Sequence, residues 1–156
     1  MSVSPIPQGY HSVTPYLVVD GAEAAIRFYE QAFGAKEKLR LPMGDKLGHA
    51  EIQIGDSMVM LADEFPEMDH KGPKSRGGPT SSILLYVEDV DSAFRQALDA
   101  GATEERAVED QFWGDRMGTL RDPFGHRWSL ATAKEEVAPD ELQRRMEAMM
   151  AEGQAA

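Results

Sequence analysis

Two stretches of the chain have the form of β-hairpins, and they constrain the fold more than any other feature. In the first, residues 115–131, the sequence Asp-Pro-Phe-Gly at 122–125 suits a tight turn, with proline in its second position and glycine in its last. The residues that follow, 127–130, alternate polar and apolar side chains, as a half-buried strand does. Residues 49–61 form a weaker copy of this pattern. Each half of the chain is therefore predicted to contain a hairpin.

The two hairpins belong to a longer internal repeat. Each is preceded by a strand, a helix that ends at a glycine, and a second strand. Almost the same interval separates Gly34 from Gly101 as separates Leu61 from Ser129, which indicates a duplicated strand–helix–strand–strand–strand unit. The prediction is an α+β fold made of two βαβββ modules.

The first module carries the clearer local signals. A β-rich run at 13–19 precedes a helix, for which Asp20 and Glu23 have the form of a capping box. Gly34 is expected to end that helix in the left-handed conformation. The predicted single domain spans 12–132, with module one at 12–63 and module two at 81–132.

Two segments lie outside the modules. Residues 64–80 are rich in proline and glycine and break the periodicity, so they are predicted to be a solvated connection, with a mobile flap over a pocket as the alternative. Residues 133–156 are predicted to be a helical tail. Within it, Leu142, Met146, Met149 and Met150 recur at helical spacing and predict an apolar stripe docked on the domain or on a partner subunit.

Composition limits the classes of function. The chain has 156 residues, enough for one domain with a core, and it contains no cysteine for a disulfide, a thiolate metal site or a nucleophile. Its net charge of −11 makes nucleic acid and anionic membranes poor partners. The N-terminus lacks the pattern of a signal peptide, and no apolar run is long enough to span a membrane. A cytoplasmic protein that binds something small is the expectation.

Several segments of the chain resemble those of a known family. The segments VTPYLVVDGAEAAIRFYEQAFGA and DPFGHRWSLAT are similar to those of the vicinal-oxygen-chelate superfamily, which includes glyoxalase I, extradiol dioxygenases and bleomycin-resistance proteins. The sequences HAE at 49–51, WGDR at 113–116 and PDELQRRMEAMM in the tail resemble its PhnB-like branch. The resemblance implies curved mixed sheets around a cleft, helices on the outside, a small-molecule ligand and a homodimer.

The strand at 49–54 supplies the principal site candidates. Ala50, Ile52 and Ile54 should face the helix, so the alternation places His49, Glu51 and Gln53 on the opposite face, which the family's fold turns into the cleft. His49 and Glu51 could act as a base and its orienting carboxylate. Gln53 would contact a polar ligand. The alternative is that this face is simply solvated.

Further ligand-binding candidates lie in the second module. In the family the segment around Trp113 borders the cleft, so Trp113 could stack on a planar ligand, and Arg116, next to Asp115, could pair with an anion. The alternative is a surface pair of Asp115 with Arg116, with Trp113 as packing. Trp128 is a candidate platform for a ligand but is more often a core residue.

The metal ligands that the family uses are missing at the matching positions. Carried over by module register, they fall on Val13, Leu61, Ser82 and Ser129, two aliphatic residues and two serines. No metal and no other cofactor is therefore predicted. Three functions stay open: a metal-independent binder of a small molecule, a metal-independent enzyme that uses His49 and Glu51 for proton transfer, and a metal-dependent lyase, isomerase or dioxygenase whose ligands lie elsewhere.

Overall fold

The computed structural model describes residues 3–155 of the chain. Module one contains one helix and four strands: β1 (Tyr16–Val19), α1 (Ala22–Phe33), β2 (Lys36–Met43), β3 (Lys46–Ile54) and β4 (Ser57–Asp63). A connection with a 3-10 turn (Pro66–Met68) and a short helix α2 (Pro73–Arg76) leads to module two. That module repeats the order with β5 (Ser82–Tyr86), α3 (Val90–Ala100), β6 (Thr103–Asp110), β7 (Asp115–Arg121) and β8 (Arg127–Ala133). A tail helix, α4 (Pro139–Ala155), follows.

The two modules have the same sheet topology. The strand orders are β1-β4-β3-β2 and β5-β8-β7-β6, and in each sheet the outer strand that opens the module pairs in parallel with the last strand. The other pairings are antiparallel. The α+β fold of two βαβββ modules, with mixed sheets and a C-terminal helix, is confirmed.

Helix α1 buries the face that its apolar spacing predicts. Ala25, Ile26 and Tyr29 are almost completely buried, and the helix ends at Gly34, whose φ of 67° is left-handed as expected. Its start differs from the prediction. Gly21 is the N-cap, and the free backbone N–H groups of Gly21 and Ala22 donate to Asp63 Oδ1 at 3.0 and 2.7 Å.

The predicted capping box of Asp20 and Glu23 is therefore wrong. The cap comes from the end of β4, 42 residues further along the chain from Gly21, and no local pattern could have shown it. In module two the last strand also caps the helix, because Thr132 Oγ1 at the end of β8 accepts a hydrogen bond from the backbone N–H of Val90 at 3.0 Å. Asp89 also caps α3, accepting from Ser92 N–H at 3.2 Å.

An aromatic cluster with a buried carboxylate joins the two modules. Phe33 on α1 packs against Trp128 on β8, with ring centroids 4.7 Å apart. Asp122, in the β7–β8 turn, accepts hydrogen bonds from Tyr29 Oη at 2.6 Å and Trp128 Nε1 at 2.9 Å. The turn itself has the predicted geometry, since Gly125 N–H donates to the carbonyl of Asp122 at 3.1 Å.

The connection at 64–80 is more ordered than the predicted solvated link. Phe65 and His70 pair across it, Gly72 is buried against Val18 of β1, and Pro73 is buried beside Gly125 of the β7–β8 turn. A hydrogen bond from Ser75 lowers the pKa of Glu64, and the backbone N–H of Gly72, which donates to Glu64 Oε1 at 2.7 Å, adds to this effect. Proline and glycine in this segment therefore shape a packed turn.

The tail helix forms as predicted, but its apolar stripe is not buried by its own chain. Met149 and Met150 remain about half exposed, at 50% and 55%. Arg145 holds the helix by donating to Glu135 at 2.8 and 3.0 Å and to the carbonyl of Phe112 at 3.1 Å. Among the helices of residues 3–155, none is long and apolar enough to cross a membrane.

Candidate functional site

Strand β3 presents its side chains to two different environments. Ala50, Ile52 and Ile54 are buried under the helices, at 0%, 0% and 3% exposure. His49, Glu51 and Gln53 are partly exposed on the opposite face of the sheet. The structure thus places these three candidates as the alternation predicts.

Two tyrosines connect His49 and Glu51 into one hydrogen-bonded chain. The Tyr16 hydroxyl lies 2.8 Å from His49 Nδ1, and His49 Nε2 lies 3.1 Å from Glu51 Oε1. The hydroxyl of Tyr10, in the N-terminal arm, donates to the second oxygen of Glu51. Because an ionised carboxylate only accepts, His49 Nε2 carries the proton, and Nδ1 accepts from Tyr16 when the ring is neutral.

Glu51 is the acidic member of this hydrogen-bonded chain. The hydrogen bond from Tyr10 lowers the pKa of Glu51, and its contact with His49 adds to the effect. Burial raises the pKa of Tyr10 to about 12, and the hydrogen bond with Glu51 contributes to this rise. Burial, with the negative charge of Glu51, also raises the pKa of Tyr16. Both phenols therefore stay protonated at neutral pH and act as donors.

A cavity of about 320 Å³ opens beside Glu51. Glu51, Gln53, Tyr10, Lys38 and Met58 are among its lining residues. It offers a carboxylate, an amide and a cation around an open volume, which suits a small polar ligand. The site brings together Glu51 and Gln53, with His49 bonded directly behind Glu51.

Trp113 and Asp115 lie in module two, away from β3. Asp115 is buried and accepts hydrogen bonds from Tyr86 Oη at 3.0 Å and Trp113 Nε1 at 3.1 Å. Trp113 lines a separate cavity of about 230 Å³ with Arg106 and Met117. We expected Trp113 to border the same cleft as His49, Glu51 and Gln53. Within this chain, however, Trp113 lines a different cavity from Glu51 and Gln53.

Arg116 points to the other side of β7 and forms surface ion pairs. Its guanidinium donates to Asp91 at 2.7 and 2.8 Å and to Asp110 at 3.2 Å. These carboxylates raise its pKa. A direct pair of Asp115 with Arg116 is therefore absent from the described residues, and the anion-binding role predicted for Arg116 conflicts with its two carboxylate partners.

Trp128 is a core residue. It is 1% exposed, and its indole contacts Tyr29 and Phe33 and donates to Asp122. This packing accounts for the residue, so we leave its ligand-binding role out of the proposed site.

The four positions that match the family's metal ligands do not fit a divalent ion. Leu61 faces the core, and Val13 lies outside β1. Ser129 shares a hydrogen bond with Thr119 at 3.0 Å, and neutral hydroxyls bind divalent ions weakly without carboxylates or imidazoles beside them. On the neighbouring strand β4, Met60 is the register partner of Glu51, and its thioether is also a poor ligand for such ions. Among residues 3–155, no group of three or more histidine and carboxylate side chains converges.

Sequence reasoning missed the two tyrosines. Tyr16 could have been found, because it alternates along β1 with the buried residues Leu17 and Val19 and so shares a face with His49. Tyr10 lies in an irregular arm with no periodicity, and only the folded chain brings it to Glu51.

Comparison with known proteins supports this fold. An uncharacterized protein of Mycobacterium tuberculosis is 49% identical over 139 residues, covering 86% of this chain and 82% of the relative. The crystal structure of TioX from Micromonospora sp. ML1 is similar at a TM-score of 0.62 and 23% identity, covering 82% of this chain and 100% of that one. A PhnB protein from Bacillus cereus is similar at a TM-score of 0.63 and 18% identity, with coverages of 79% and 100%.

A family model gives the most direct assignment. The model of the Glyoxalase/Bleomycin resistance protein/Dioxygenase superfamily matches residues 9–130, which include strands β1 to β7 and the first half of β8. With both βαβββ modules in place, the chain belongs to the Glyoxalase/Bleomycin resistance protein/Dioxygenase superfamily.

Proposed function

We propose that this protein binds a small polar molecule on the face of β3 that carries His49, Glu51 and Gln53, and does so without the metal site typical of its superfamily. The observation that carries this proposal is the chain of hydrogen bonds from Tyr16 through His49 and Glu51 to Tyr10. It fixes the orientation of a carboxylate next to an open cavity. Pre-oriented polar groups at the wall of a cavity are what ligand recognition requires.

The protonation states favour binding over proton transfer. Both nitrogens of His49 are engaged, one with Tyr16 and one with Glu51. The Tyr16 phenol is a poor base because its raised pKa keeps it protonated. A ligand would therefore meet donors and one fixed negative charge.

A metal-independent enzyme is the second candidate. In the imidazolium form of His49, which Glu51 would stabilise, Tyr16 would give its hydroxyl proton to the ligand and take the Nδ1 proton of His49, leaving the imidazole neutral. In that case the His49→Ala variant would still bind the ligand but would fail to convert it.

The expected effect of changing the site is on binding and not on stability. Replacing His49 by alanine or Glu51 by glutamine should weaken ligand binding about tenfold or more, because a charge-assisted network is lost. Since both side chains are partly exposed, the free energy of unfolding should change by about 1 kcal/mol or less. Native mass spectrometry of each purified variant would measure the retained small molecule.

The matched control is Glu104→Gln, which removes an exposed carboxylate on β6 in the other module. It should retain the same added mass as the unchanged protein. Equal retention by His49→Ala, Glu51→Gln and Glu104→Gln would contradict the proposed site.

We also propose a homodimer in which a second copy covers the exposed apolar surface. Tyr86 and Leu84 on the outer strand β5 are 60% and 44% exposed, and the methionines of α4 are comparably open. Large exposed apolar side chains that form a patch often mark an interface. Superfamily membership supports the proposal, because members often form dimers.

Removing α4 should weaken this dimer. A chain that ends at Ala138 should dissociate at a protein concentration about tenfold or more above that of the full chain, since the methionine stripe is lost. Sedimentation at several concentrations would measure the change. Replacing Gln143 by alanine, on the same helix, is the control, and an unchanged dimer without α4 would rule out a role for the stripe.

Metal analysis tests the remaining alternative, a metal-dependent lyase, isomerase or dioxygenase. After dialysis the protein should hold no stoichiometric ion, and titration with nickel, zinc, manganese or iron should show only weak binding, since an open catalytic site needs about three protein donors. A stoichiometric ion held by His49, Glu51 and a third donor would support the metal-dependent enzyme instead of the proposed binder.

Membership in the PhnB-like branch and a cytoplasmic location complete the proposal. The HAE and WGDR sequences and the similarity to the Bacillus cereus protein support the branch. The absence of cysteine from the chain is compatible with a reducing compartment.

A further inference from the structure

A further cavity, of about 470 Å³, lies beside Tyr16. The cavity is formed by β1, by the connection at 71–81 and by the end of the β7–β8 turn. Its polar lining consists of Tyr16, Lys71, Arg76, Thr80, Ser81 and His126. We propose that this cavity binds the anionic group, a carboxylate or a phosphate, of the ligand. The inference rests on the proposed function, because Tyr16 belongs to both places.

The charge of the lining is opposite to that of the chain. The protein carries a net charge of −11, yet two cations and no carboxylate line this cavity. Acidic surfaces repel anions at long range, so a cationic lining is the place where an anion can be held. Lysine and arginine are the side chains that bind carboxylate and phosphate oxygens most strongly.

Asp69 holds the two cations from the solvent side. Its carboxylate lies 3.0 Å from Arg76 Nη2 and 3.6 Å from Lys71 Nζ, and its carbonyl accepts from Arg76 Nη2 at 2.9 Å. Asp69 is itself outside the lining and mostly exposed. Because a guanidinium has five N–H donors and these contacts use only Nη2, Arg76 keeps donors for a ligand. The backbone of Asp69 is left-handed, at φ 57°, where it ends the 3-10 turn.

Tyr16 links this cavity to His49. Its ring lines the cavity next to Val18, while its hydroxyl lies 2.8 Å from His49 Nδ1. A ligand anchored at Lys71 and Arg76 would therefore rest its apolar part on Tyr16 and Val18. The predicted ligand class is a small organic anion with a planar or apolar body.

Amide chemical-shift mapping with phenyl phosphate and benzoate as probes tests this inference, and phenol and benzamide serve as neutral controls. Both anions should shift the amides of Gly78, Thr80 and Ser81, and the neutral controls should not. The anion that binds with the higher affinity identifies whether the cavity prefers a phosphate or a carboxylate. Lys71→Gln and Arg76→Gln should each weaken the anion's binding about tenfold.

The matched control is Lys74→Gln, which removes a cation of the same segment that does not line the cavity and lies 3.6 Å from Asp20. It should leave the affinity unchanged, and retained thermal unfolding midpoints would show that the variants fold. Equal weakening by all three substitutions, or equal binding of phenol, would overturn the inference. If the anions and the neutral controls shifted the same amides, and only those of His49 and Glu51, the anion site would be overturned while the proposed function would stay in place. Anion binding here, combined with equal retention of the small molecule by His49→Ala, Glu51→Gln and Glu104→Gln, would support the anion site and contradict the proposed function.

Discussion

Replacing Asp122 by alanine is expected to lower the free energy of unfolding by about 3–5 kcal/mol. The Asp122 carboxylate is 3% exposed and accepts four hydrogen bonds, two from side chains and two from the backbone N–H groups of Phe124 and His126 at 2.9 Å. Alanine would leave the buried Tyr29 hydroxyl and the Trp128 indole N–H without an acceptor. Leaving such groups unsatisfied costs about 1–3 kcal/mol each.

Urea unfolding followed by tryptophan fluorescence would measure the effect. Tyr29→Phe should lose about 1–3 kcal/mol, since it removes one of the four donors. Asp99→Ala, at an exposed position near the end of α3, should stay within about 0.5 kcal/mol of the unchanged protein. A loss below about 1 kcal/mol for Asp122→Ala would mean that this carboxylate does not join the two modules.

Replacing Gly72 by alanine should cost about 1–3 kcal/mol and also open the anion cavity. A Cβ atom at Gly72 would lie 2.6 Å from the carbonyl oxygen of Val18, so the backbone of the connection must move away from β1. Its φ of −85° is ordinary for alanine, which makes the effect purely steric. The variant should lose binding of phenyl phosphate and benzoate together with stability.

Gly48→Ala is the matched control for this effect. Its added Cβ would lie 3.2 Å from the end of the flexible Met43 side chain, which can turn away. Its stability, measured by urea unfolding, should change by about 0.5 kcal/mol or less. If Gly72→Ala were as stable as Gly48→Ala, the tight contact between the connection and β1 would be incorrect.

Local signals predicted the elements of this fold well, and contacts between distant residues account for the errors. The Asp-Pro-Phe-Gly turn could be recognised because proline and glycine set the backbone there. That Asp122 also accepts from Tyr29, 93 residues away, has no local signature. The same applies to the cap of α1, where Asp63 replaces the predicted Asp20.

The candidate site was predictable to the extent that it lies on a regular strand. Alternation placed His49, Glu51 and Gln53 correctly because side chains of a strand alternate between its faces. It could not supply Tyr10, which comes from an irregular arm, or the orientation of Arg116, which Asp91 and Asp110 determine. The cations of the connection were visible in the sequence, but their cavity depends on Gly72 packing against β1.

Amide chemical-shift mapping of a library of small polar molecules against the full chain is the most direct test of the proposed site. We expect the bound molecules to shift the amides of His49, Glu51 and Gln53 together with that of Tyr10, and we expect His49→Ala to abolish these shifts. Two results would contradict a ligand site built on this hydrogen-bonded chain. One is that the bound molecules cluster at another surface. The other is that they shift the amides of β3 as much in the His49→Ala and Glu51→Gln variants as in the unchanged protein.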